Sequence, residues 1–520
     1  MNLKFNNLKS NIPAGIVVFL VAVPLCLGIA AVSGVPPFSG LIAGIVGGIV
    51  VGLLSGSKLG VSGPAAGLAV IVYDSIDEIK NSISNGVENV DFFPDAFKMF
   101  LLAVVLAGVF QIILGFLKGG IIGYYFPSSV IKGMLTGIGL TIFLKELPHI
   151  LGYDKDIEGD FQFFQIDGEN TFSEILNAIG NPDLGASIIA ALGLIILILW
   201  EQNFIRKHYI FNIIQGPLVA ILAGIALVVG FEGGQFEMIA EHLVNVPVAN
   251  TSSEFISFFN FPDFTALNNV LIWKTAIVIA IVASLETLLC VEATDKLDPE
   301  KNVTPTNREL KAQGMGNIIS GLIGGIPITQ VIVRSSANIQ SGGKSKLSAV
   351  FHGFLILSFV GFVPELLNLI PRASLAAILL MVGYKLAKPT TFKQMWNAGM
   401  SQFLPFIITI LLILFKDLLW GVSIGLVVAI FEILYINYKK PYQINIDDAE
   451  EGQVHHILLT ENVTFLNKAS IMNTLDNIPD GTKVIVDASR TTYIHPDVEE
   501  IIEDFKTHAS FSNIAVEVIK

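Results

Sequence analysis

The chain has 520 residues and a formal net charge of −13 at pH 7, and it is 52% hydrophobic with only 14% charged residues. A soluble protein of this size carries about 25% charged residues, so the composition excludes a soluble globular protein and indicates a polytopic membrane protein. The excess acid lies in loops and in the tail, and the sequence has no basic, aromatic-rich stripe of the kind that binds nucleic acid.

Apolar segments long enough to cross about 30 Å of hydrocarbon recur along most of the chain. We predict fourteen passes in two sets of seven, which makes the fold mostly α-helical. The first set is Pro13–Ser33, Phe38–Ser55, Pro64–Tyr73, Phe97–Leu117, Ser128–Leu147, Leu184–Phe204 and Pro217–Phe231. The second set is Val270–Cys290, Leu310–Ile326, Pro327–Ile339, Leu347–Val363, Pro371–Leu386, Phe403–Phe415 and Leu418–Ile436.

Two of these segments begin at a proline and are too short to cross the membrane as helices, so we expect non-helical, protein-buried backbone before each. Proline is favoured at the first helical position because the amide hydrogen it lacks would have no partner there. A helix start has unpaired amides and a partial positive charge. We therefore predict that Pro64, preceded by Gly63, and Pro327 open two short helices whose starts form a midplane site for an anion.

The two sets of seven show weak internal similarity. Each short helix follows a glycine-rich one, and residues 127–131 have a counterpart at residues 371–375. Because seven is odd, the second set must enter the membrane in the opposite sense. This predicts a 7+7 inverted repeat with two interrupted helices, which is a signature of transporters. The alternative is a chance pattern of glycine and proline.

The charges of the loops predict the orientation. Lysine and arginine cluster in the loops of one side, for example at Lys58, Arg308 and Lys344, whereas acids such as Asp74 and Glu237 dominate the loops of the other side. Loops rich in positive charge face the cytoplasm. We therefore expect a multi-pass protein of the inner (plasma) membrane with both termini cytoplasmic.

Beyond residue 440 the composition becomes that of a small α/β domain. Strand-like runs at 454–459, 484–486 and 514–519 alternate with predicted helices at 469–475 and 498–505. We therefore divide the chain into a transmembrane domain at residues 1–440 and a cytoplasmic domain at residues 441–520.

Two charged residues inside predicted spans are candidates for function. Arg334 follows Pro327 by seven residues, two turns along the same helical face. A charge inside a span marks a functional site by default, and Arg334 would draw an anion towards the helix start. The alternative is an arginine that snorkels to the interface. Glu286 either binds and releases a proton during transport, or has a structural role through a hydrogen bond of its protonated form or a pair with Arg334.

The sequence contains no P-loop, nucleophile elbow or dinucleotide fingerprint, and its histidines lack the spacing of metal ligands. Its two cysteines, Cys26 and Cys290, fall inside predicted spans, so a disulfide framework is not supported. We therefore expect no enzymatic activity, no cofactor and no metal site.

Seven stretches resemble the SulP family of inorganic anion transporters, and together with the tail they extend over nearly the whole chain. They are Val23–Leu25, Gly34–Pro37, Val61–Ala66, Asn307–Leu310, Gln313–Asn317, Gly324–Pro327 and Ser341–Ser348. The tail is similar to the STAS domain that follows such transporters. The resemblance implies a core domain that moves against a gate domain within the fourteen-helix fold, usually as a homodimer. The implied substrates are sulfate, bicarbonate, chloride or small carboxylates.

The resemblance also implies site residues. Backbone amides of Ala65 and Ala66 at one helix start, and of Thr329, Gln330 and Val331 at the other, would bind the substrate. Arg334 matches the basic residue of the family and Glu286 its acidic coupling residue.

Members that resemble sodium-coupled transporters have Asp at the coupling position and hydroxyl or small residues nearby, whereas this chain has Glu286, Cys290, Ile328 and Ile332. These residues favour protons over sodium. In the tail, Asp497 occupies the position of a phosphorylated serine in related regulatory domains, which argues against a phosphorylation switch there.

Taken together, the residues predict a secondary active transporter of a small inorganic anion, of the bicarbonate or sulfate class, that works by elevator-type alternating access with protons coupled through Glu286. The alternatives are a passive anion channel or exchanger, sodium-coupled bicarbonate uptake and dicarboxylate transport. A nucleobase permease has the same fold, but its pattern places an acid on the tenth helix, where this chain has Arg334.

Overall fold

The fold is that of a computed structural model, which describes residues 7–84, 92–155, 162–164, 168–202, 215–249, 251–439, 442–449 and 452–519. Helices dominate up to residue 439. They are α1 (Leu8–Val32), α2 (Pro37–Val46), α3 (Ala66–Ser84), α4 (Phe93–Phe116), α5 (Ser128–Ile150), α6 (Thr171–Gly180), α7 (Leu184–Glu201), α8 (Gly216–Phe231), α9 (Ser252–Ser257), α10 (Val270–Leu297), α11 (Thr306–Leu322), α12 (Ile332–Gln340), α13 (Leu347–Phe362), α14 (Pro364–Leu367), α15 (Arg372–Leu386), α16 (Pro389–Asn397), α17 (Met400–Phe415) and α18 (Leu418–Lys439).

A helix lies at the position of every predicted segment, although the end of the one predicted over Leu184–Phe204 falls outside the described residues. Six helices of the described chain are long and apolar enough to cross a membrane, and a seventh pass forms if Gly119–Tyr125 and Ser128–Ile150, bent by 87°, count as one. The protein is therefore a polytopic membrane protein. The count of fourteen passes stays a prediction.

Glycine allows the closest helix packing. α4 and α11 lie against each other, and a Cβ added to Gly108 would lie 2.5 Å from the carbonyl oxygen of Gly314. The same distance separates a Cβ on Gly314 from the carbonyl oxygen of Gly108. Because neither position has room for a side chain, these two backbones approach as the glycine-rich sequence predicts.

A buried polar cluster joins the end of α5 to the segment after α8. The Nδ1 atoms of His149 and His242 each lie 2.6 Å from a carboxylate oxygen of Asp154. Burial opposes ionisation of Asp154, but the two histidine bonds outweigh it and hold the pKa of that carboxyl well below its usual range. The bond to Asp154 raises the pKa of His242 against the opposite effect of burial.

The described residues form two compact units, one containing residues up to Asn397 and Pro405–Gly425, the other Ala398–Leu404 and the residues from Leu426 onward. The strands of the second unit are β3 (Tyr442–Ala449), β4 (Gly452–Leu459), β5 (Asn462–Val463), β6 (Lys483–Asp487), β7 (Tyr493–Ile494) and β8 (Ala515–Ile519). The sheet order is β3-β4-β6-β8, and α19 (Lys468–Asp476) and α20 (Pro496–Ala509) accompany it. This alternation agrees with a STAS-like tail. Residues 440 and 441 lie outside the described residues, so the domain boundary there stays a prediction.

Candidate functional site

The two interrupted helices meet through a short two-stranded sheet. β1 (Ser62–Pro64) pairs antiparallel with β2 (Ile328–Gln330), so that Gly63 lies opposite Thr329. All six residues are buried, as we expected for non-helical backbone within a membrane protein. Because α3 follows β1 and α12 follows β2, the sheet brings the starts of these two helices together.

The prolines do not open the helices, and that prediction is wrong. Pro64 lies in β1 and α3 begins at Ala66, whereas Pro327 precedes β2 and α12 begins at Ile332. The fixed φ of proline is compatible with extended backbone as well as with a helix start. α3 also continues to Ser84, beyond its predicted end.

Neither helix start has a residue that caps it well. α12 is preceded by Val331, which makes no side-chain bond to the first turn, and α3 is preceded by Ala65. Ser, Thr, Asp or Asn is preferred at such a position, and an apolar residue there costs about 1 kcal/mol because the first amides lack an acceptor. Both starts therefore present amide groups that an anion can satisfy.

Asn317 of α11 holds β2 in place. Its Oδ1 accepts a hydrogen bond from the backbone N of Ile328 at 2.6 Å, and its Nδ2 donates to the carbonyl oxygen of the same residue at 3.0 Å. The Nδ2 group also donates to Oε1 of Gln111 at 2.6 Å. The side chain thus takes the place of a neighbouring strand for Ile328.

Other buried side chains hold β1 and the residues before it. Nε2 of Gln313 donates to Oγ of Ser62 at 2.7 Å. Oγ of Ser335 accepts from the backbone N of Val61 at 3.0 Å, and Nδ2 of Asn338 donates to the carbonyl oxygen of Leu59 at 2.9 Å. Because Ser335 and Asn338 belong to α12, this network ties the two interrupted elements to each other.

A cavity of about 470 Å³ faces both helix starts. Among the predicted site residues it is lined by Ala66, Val331 and Glu286, and its other contributors from the two helices are Gly67, Ala69, Val70, Ile71, Ile332 and Val333. Glu286 is 6% exposed, and its Oε2 has no hydrogen-bond partner among the described residues. A Cβ on Gly67 would lie 3.2 Å from Oε1 of Glu286, so the carboxyl group lies against the first turn of α3.

Arg334 is fully buried but does not line this cavity. Its Nη2 donates to Sγ of Cys26 at 3.3 Å, whereas Nε and Nη1 have no acceptor among the described residues. A Cβ on Gly63 would lie 2.0 Å from Nη1, which puts the guanidinium directly behind β1. Burial by protein contradicts the alternative of an arginine that snorkels to the interface, and Arg334 and Glu286 do not form an ion pair with each other.

The remaining predicted residues have structural contacts. The side chain of Gln330 donates to Oγ1 of Thr294 at 3.0 Å, and Oγ1 of Thr329 lies 3.4 Å from the carbonyl oxygen of Gln330. Both residues are buried, and neither they nor Ala65 line the cavity. Their position in or beside the strands explains this, since β1 and β2 bond to each other.

The sequence did not lead us to the residues that close the cavity on the side opposite the helix starts. These are Ile138, Thr141 and Gln162, together with Ile413, Lys416, Asp417, Leu418, Leu419 and Trp420. The available signal was the Lys416–Asp417 pair, which interrupts two apolar segments. Asp417 accepts a bond from the backbone N of Trp420 at 2.9 Å.

A second cavity, of about 890 Å³, lies at the opposite end of α1. It is lined by Leu8 from the beginning of α1, whereas Val32 from the end of α1 lines the first cavity. Lys344 and Lys385 also line it, and Lys385 forms an ion pair with Glu201.

Residues 8–409 match the profile of the sulfate permease family. YvdB from Bacillus subtilis (strain 168), which has a provisional name as a sulfate transporter, is 29% identical over 421 residues, covering 81% of this chain and 72% of that protein. The bicarbonate transporter BicA of Picosynechococcus sp. is 27% identical over 430 residues, covering 82% of this chain and 70% of its relative.

The solved structure of SLC26A9 superposes with a TM-score of 0.64, at 16% identity, over 98% of this chain and 84% of the other. This likeness concerns the fold, which in both chains is mostly helical. The named sequence relatives are transporters, in agreement with the expectation that the chain is not an enzyme.

Proposed function

This chain belongs to the sulfate permease family, and from that premise we propose that it is a secondary active transporter of a small inorganic anion of the bicarbonate or sulfate class. The observation that carries the proposal is the pair of poorly capped helix starts, Ala66 and Ile332, that line one cavity. Each helix start contributes about half a positive charge, so a single anion between them meets roughly one compensating charge from the backbone alone.

Arg334 strengthens this positive field from behind the sheet. Its guanidinium lies next to the backbone of Gly63 and has a thiol, not a carboxylate, as its hydrogen-bonding partner. A buried charge without a counter-ion is expensive, and an anion in the neighbouring cavity would lower that cost. We therefore assign Arg334 an electrostatic role, while the first-turn amides of α3 and α12 contact the substrate. The backbone N of Val331 does not take part, because it donates to the carbonyl oxygen of Val61 at 2.9 Å.

Alternating access is the proposed mechanism. The β1–β2 sheet and its side-chain network hold α3 and α12 together, so that both helix starts move as one body with the anion, as in an elevator. Cavities at opposite ends of α1 provide a route to each face of the membrane. The antiparallel pairing of equivalent strands also supports the proposal of fourteen passes in a 7+7 inverted repeat, with core and gate domains.

The remaining proposals follow from family membership and loop charges. We propose a homodimer in the inner (plasma) membrane with both termini cytoplasmic, a transmembrane domain at residues 1–440 and a cytoplasmic STAS-like domain at residues 441–520. BicA and YvdB are named for different anions, and backbone amides recognise negative charge with little chemical selectivity. The proposal therefore includes both bicarbonate and sulfate.

Glu286 is the proposed coupling residue. It lines the same cavity as the helix starts, and a protonated carboxyl there removes a negative charge that would repel the anion. Sodium would need several oxygen ligands, whereas Cys290 and Ile332 line the cavity near Glu286. Protons are therefore favoured over sodium as the coupling ion.

The test uses the purified full chain in liposomes, with radiolabelled sulfate and bicarbonate as probes. A transporter gives saturable uptake that is accelerated by the same anion on the opposite side, whereas large unitary currents would indicate a channel. Competition by fumarate or by uracil would support a dicarboxylate transporter or a nucleobase permease instead. Replacement of sodium by choline leaves uptake unchanged if protons are the coupling ion.

Glu286→Gln tests the coupling. The amide cannot ionise, so uptake should persist with a flattened dependence on pH. Glu292→Gln is the matched control, because Glu292 lies on the same helix, pairs with Lys296 at 3.2 Å and does not line the cavity. An unchanged pH profile in Glu286→Gln would remove the coupling role.

A further inference from the structure

The cavity that faces the helix starts contains a second carboxylate. Within the described part of the chain, the charged residues that line it are Glu286, Lys416 and Asp417. Asp417 lies in the link between α17 and α18 and is exposed, whereas Glu286 is buried against α3. The two carboxyl groups therefore occupy the mouth and the floor of one cavity.

The fold holds the carboxyl group of Asp417 at this position. One of its oxygens accepts a bond from the backbone N of Trp420, which makes Asp417 the N-terminal cap of α18. A carboxylate at a helix start is stabilised by the unpaired amides and the positive end of the dipole. The position of this carboxyl group at the mouth is thus a fixed feature of the cavity.

One oxygen of the floor carboxyl has no partner within the part of the chain that the structure describes. Oε2 of Glu286 lacks a hydrogen bond among the described residues, and Asp417 lines the same cavity. The other groups that line this space near Glu286 are neutral at pH 7, namely Thr141, Gln162 and Cys290, apart from Lys416 beside Asp417. Two like charges that line one cavity repel each other, and the repulsion grows as the cavity closes and water leaves it.

We propose that Asp417 is a positioning residue for coupling, whose charge makes protonation of Glu286 a condition for closing the cavity around the anion. With Glu286 ionised, two carboxylates and the anion would be confined together. With Glu286 protonated, the mouth can approach the floor. The proton comes from water in the open cavity and returns to water after transport. This inference rests on the proposed function, since it assumes that the cavity binds an anion and closes.

The alternative is that Asp417 only caps α18. Asp417→Asn separates the two roles, because asparagine is as good a cap as aspartate but has no charge. Asp417→Glu keeps the charge at the mouth. A structural role predicts no change in pH profile for Asp417→Asn, whereas a role through Glu286 predicts that the pH midpoint of uptake moves towards acid by about one unit.

The experiment measures sulfate and bicarbonate uptake by the full chain in liposomes over a range of pH, for both variants and in the Glu286→Gln background. We expect Asp417→Asn to shift the midpoint, Asp417→Glu to restore it, and Asp417→Asn to have no effect on the profile once Glu286 is replaced. A midpoint that does not move, or that moves equally without Glu286, would overturn this inference alone. Absence of uptake by the unmodified chain would overturn the proposed function and this inference with it.

Discussion

Gly47 lies against the strand that ends at the start of α3. It is the first residue of the π-helical stretch Gly47–Val51 that continues α2. A Cβ added there would lie 2.4 Å from the carbonyl oxygen of Ser62 and 2.8 Å from the backbone N of Gly63. These are backbone atoms, so Gly47→Ala cannot be accommodated by a change of rotamer and must displace β1 or α2.

The displacement is about 1 Å, because ordinary contact begins near 3.4 Å. Overpacking of this kind costs about 1–3 kcal/mol. If this overpacking cost appears as a loss of binding free energy, because the two helix starts no longer face the anion together, anion affinity falls by about 5- to 150-fold. We therefore expect a higher KM for sulfate or bicarbonate uptake and a lower Tm for the purified protein.

Gly361→Ala is the matched control. Gly361 lies in α13, its Cβ would meet no atom within 4 Å, and its φ is not in the left-handed region. Alanine stabilises a helix interior relative to glycine by about 1 kcal/mol, so KM should be unchanged and Tm unchanged or slightly higher. If Gly47→Ala gave the same KM and Tm as this control, the reasoning that β1 sets the position of the helix start would be refuted.

Two further predictions concern buried polar groups. Asn317→Ala removes the side-chain partners of the buried backbone N–H and C=O of Ile328, which costs about 1–3 kcal/mol for each group. Uptake should therefore be lost and Tm should fall. A variant as active and stable as the native chain would contradict the role assigned to Asn317. The second prediction concerns the Asp154 cluster. Because the pKa of His242 is raised, its contribution to stability is fully present below the ordinary histidine pKa near 6.5 and is lost as pH rises through the raised pKa. Because the pKa of Asp154 is lowered, its contribution is present above about pH 4 and is lost towards stronger acid. Thermal unfolding against pH should thus show a decline on the alkaline side that is smaller in His242→Gln, and parallel curves would contradict it.

The sequence predicted the helices and the presence of two interrupted elements because length and hydropathy are local properties. It also gave Glu286 as a candidate, since an acid inside an apolar segment stands out without knowledge of its neighbours, and the structure shows that this residue lines the cavity. The prolines misled us because their φ suits both strand and helix. The error moved the predicted start of α12 from Ile332 to Pro327 and with it the face assigned to Arg334.

What the sequence could not predict depends on contacts between distant residues. Asn317 and Ile328 are joined through the side chain of one and the backbone of the other, and a helical pattern gives no signal for such a bond. His242 and Asp154 are 88 residues apart in the chain. Asp417 is unremarkable as a loop acid until the fold puts it at the mouth of the cavity that contains Glu286.

The proposed binding of the anion by main-chain amides has an evolutionary consequence. Point mutations exchange side chains and leave the peptide group in place, so the proposed anion site would persist through sequence divergence as long as β1 and β2 stay paired. Changes in cargo must then arise in the surrounding wall, at residues such as Ile138, Thr141 and Ile413. A lineage can in this way acquire a preference for a different anion while it inherits the same backbone amides.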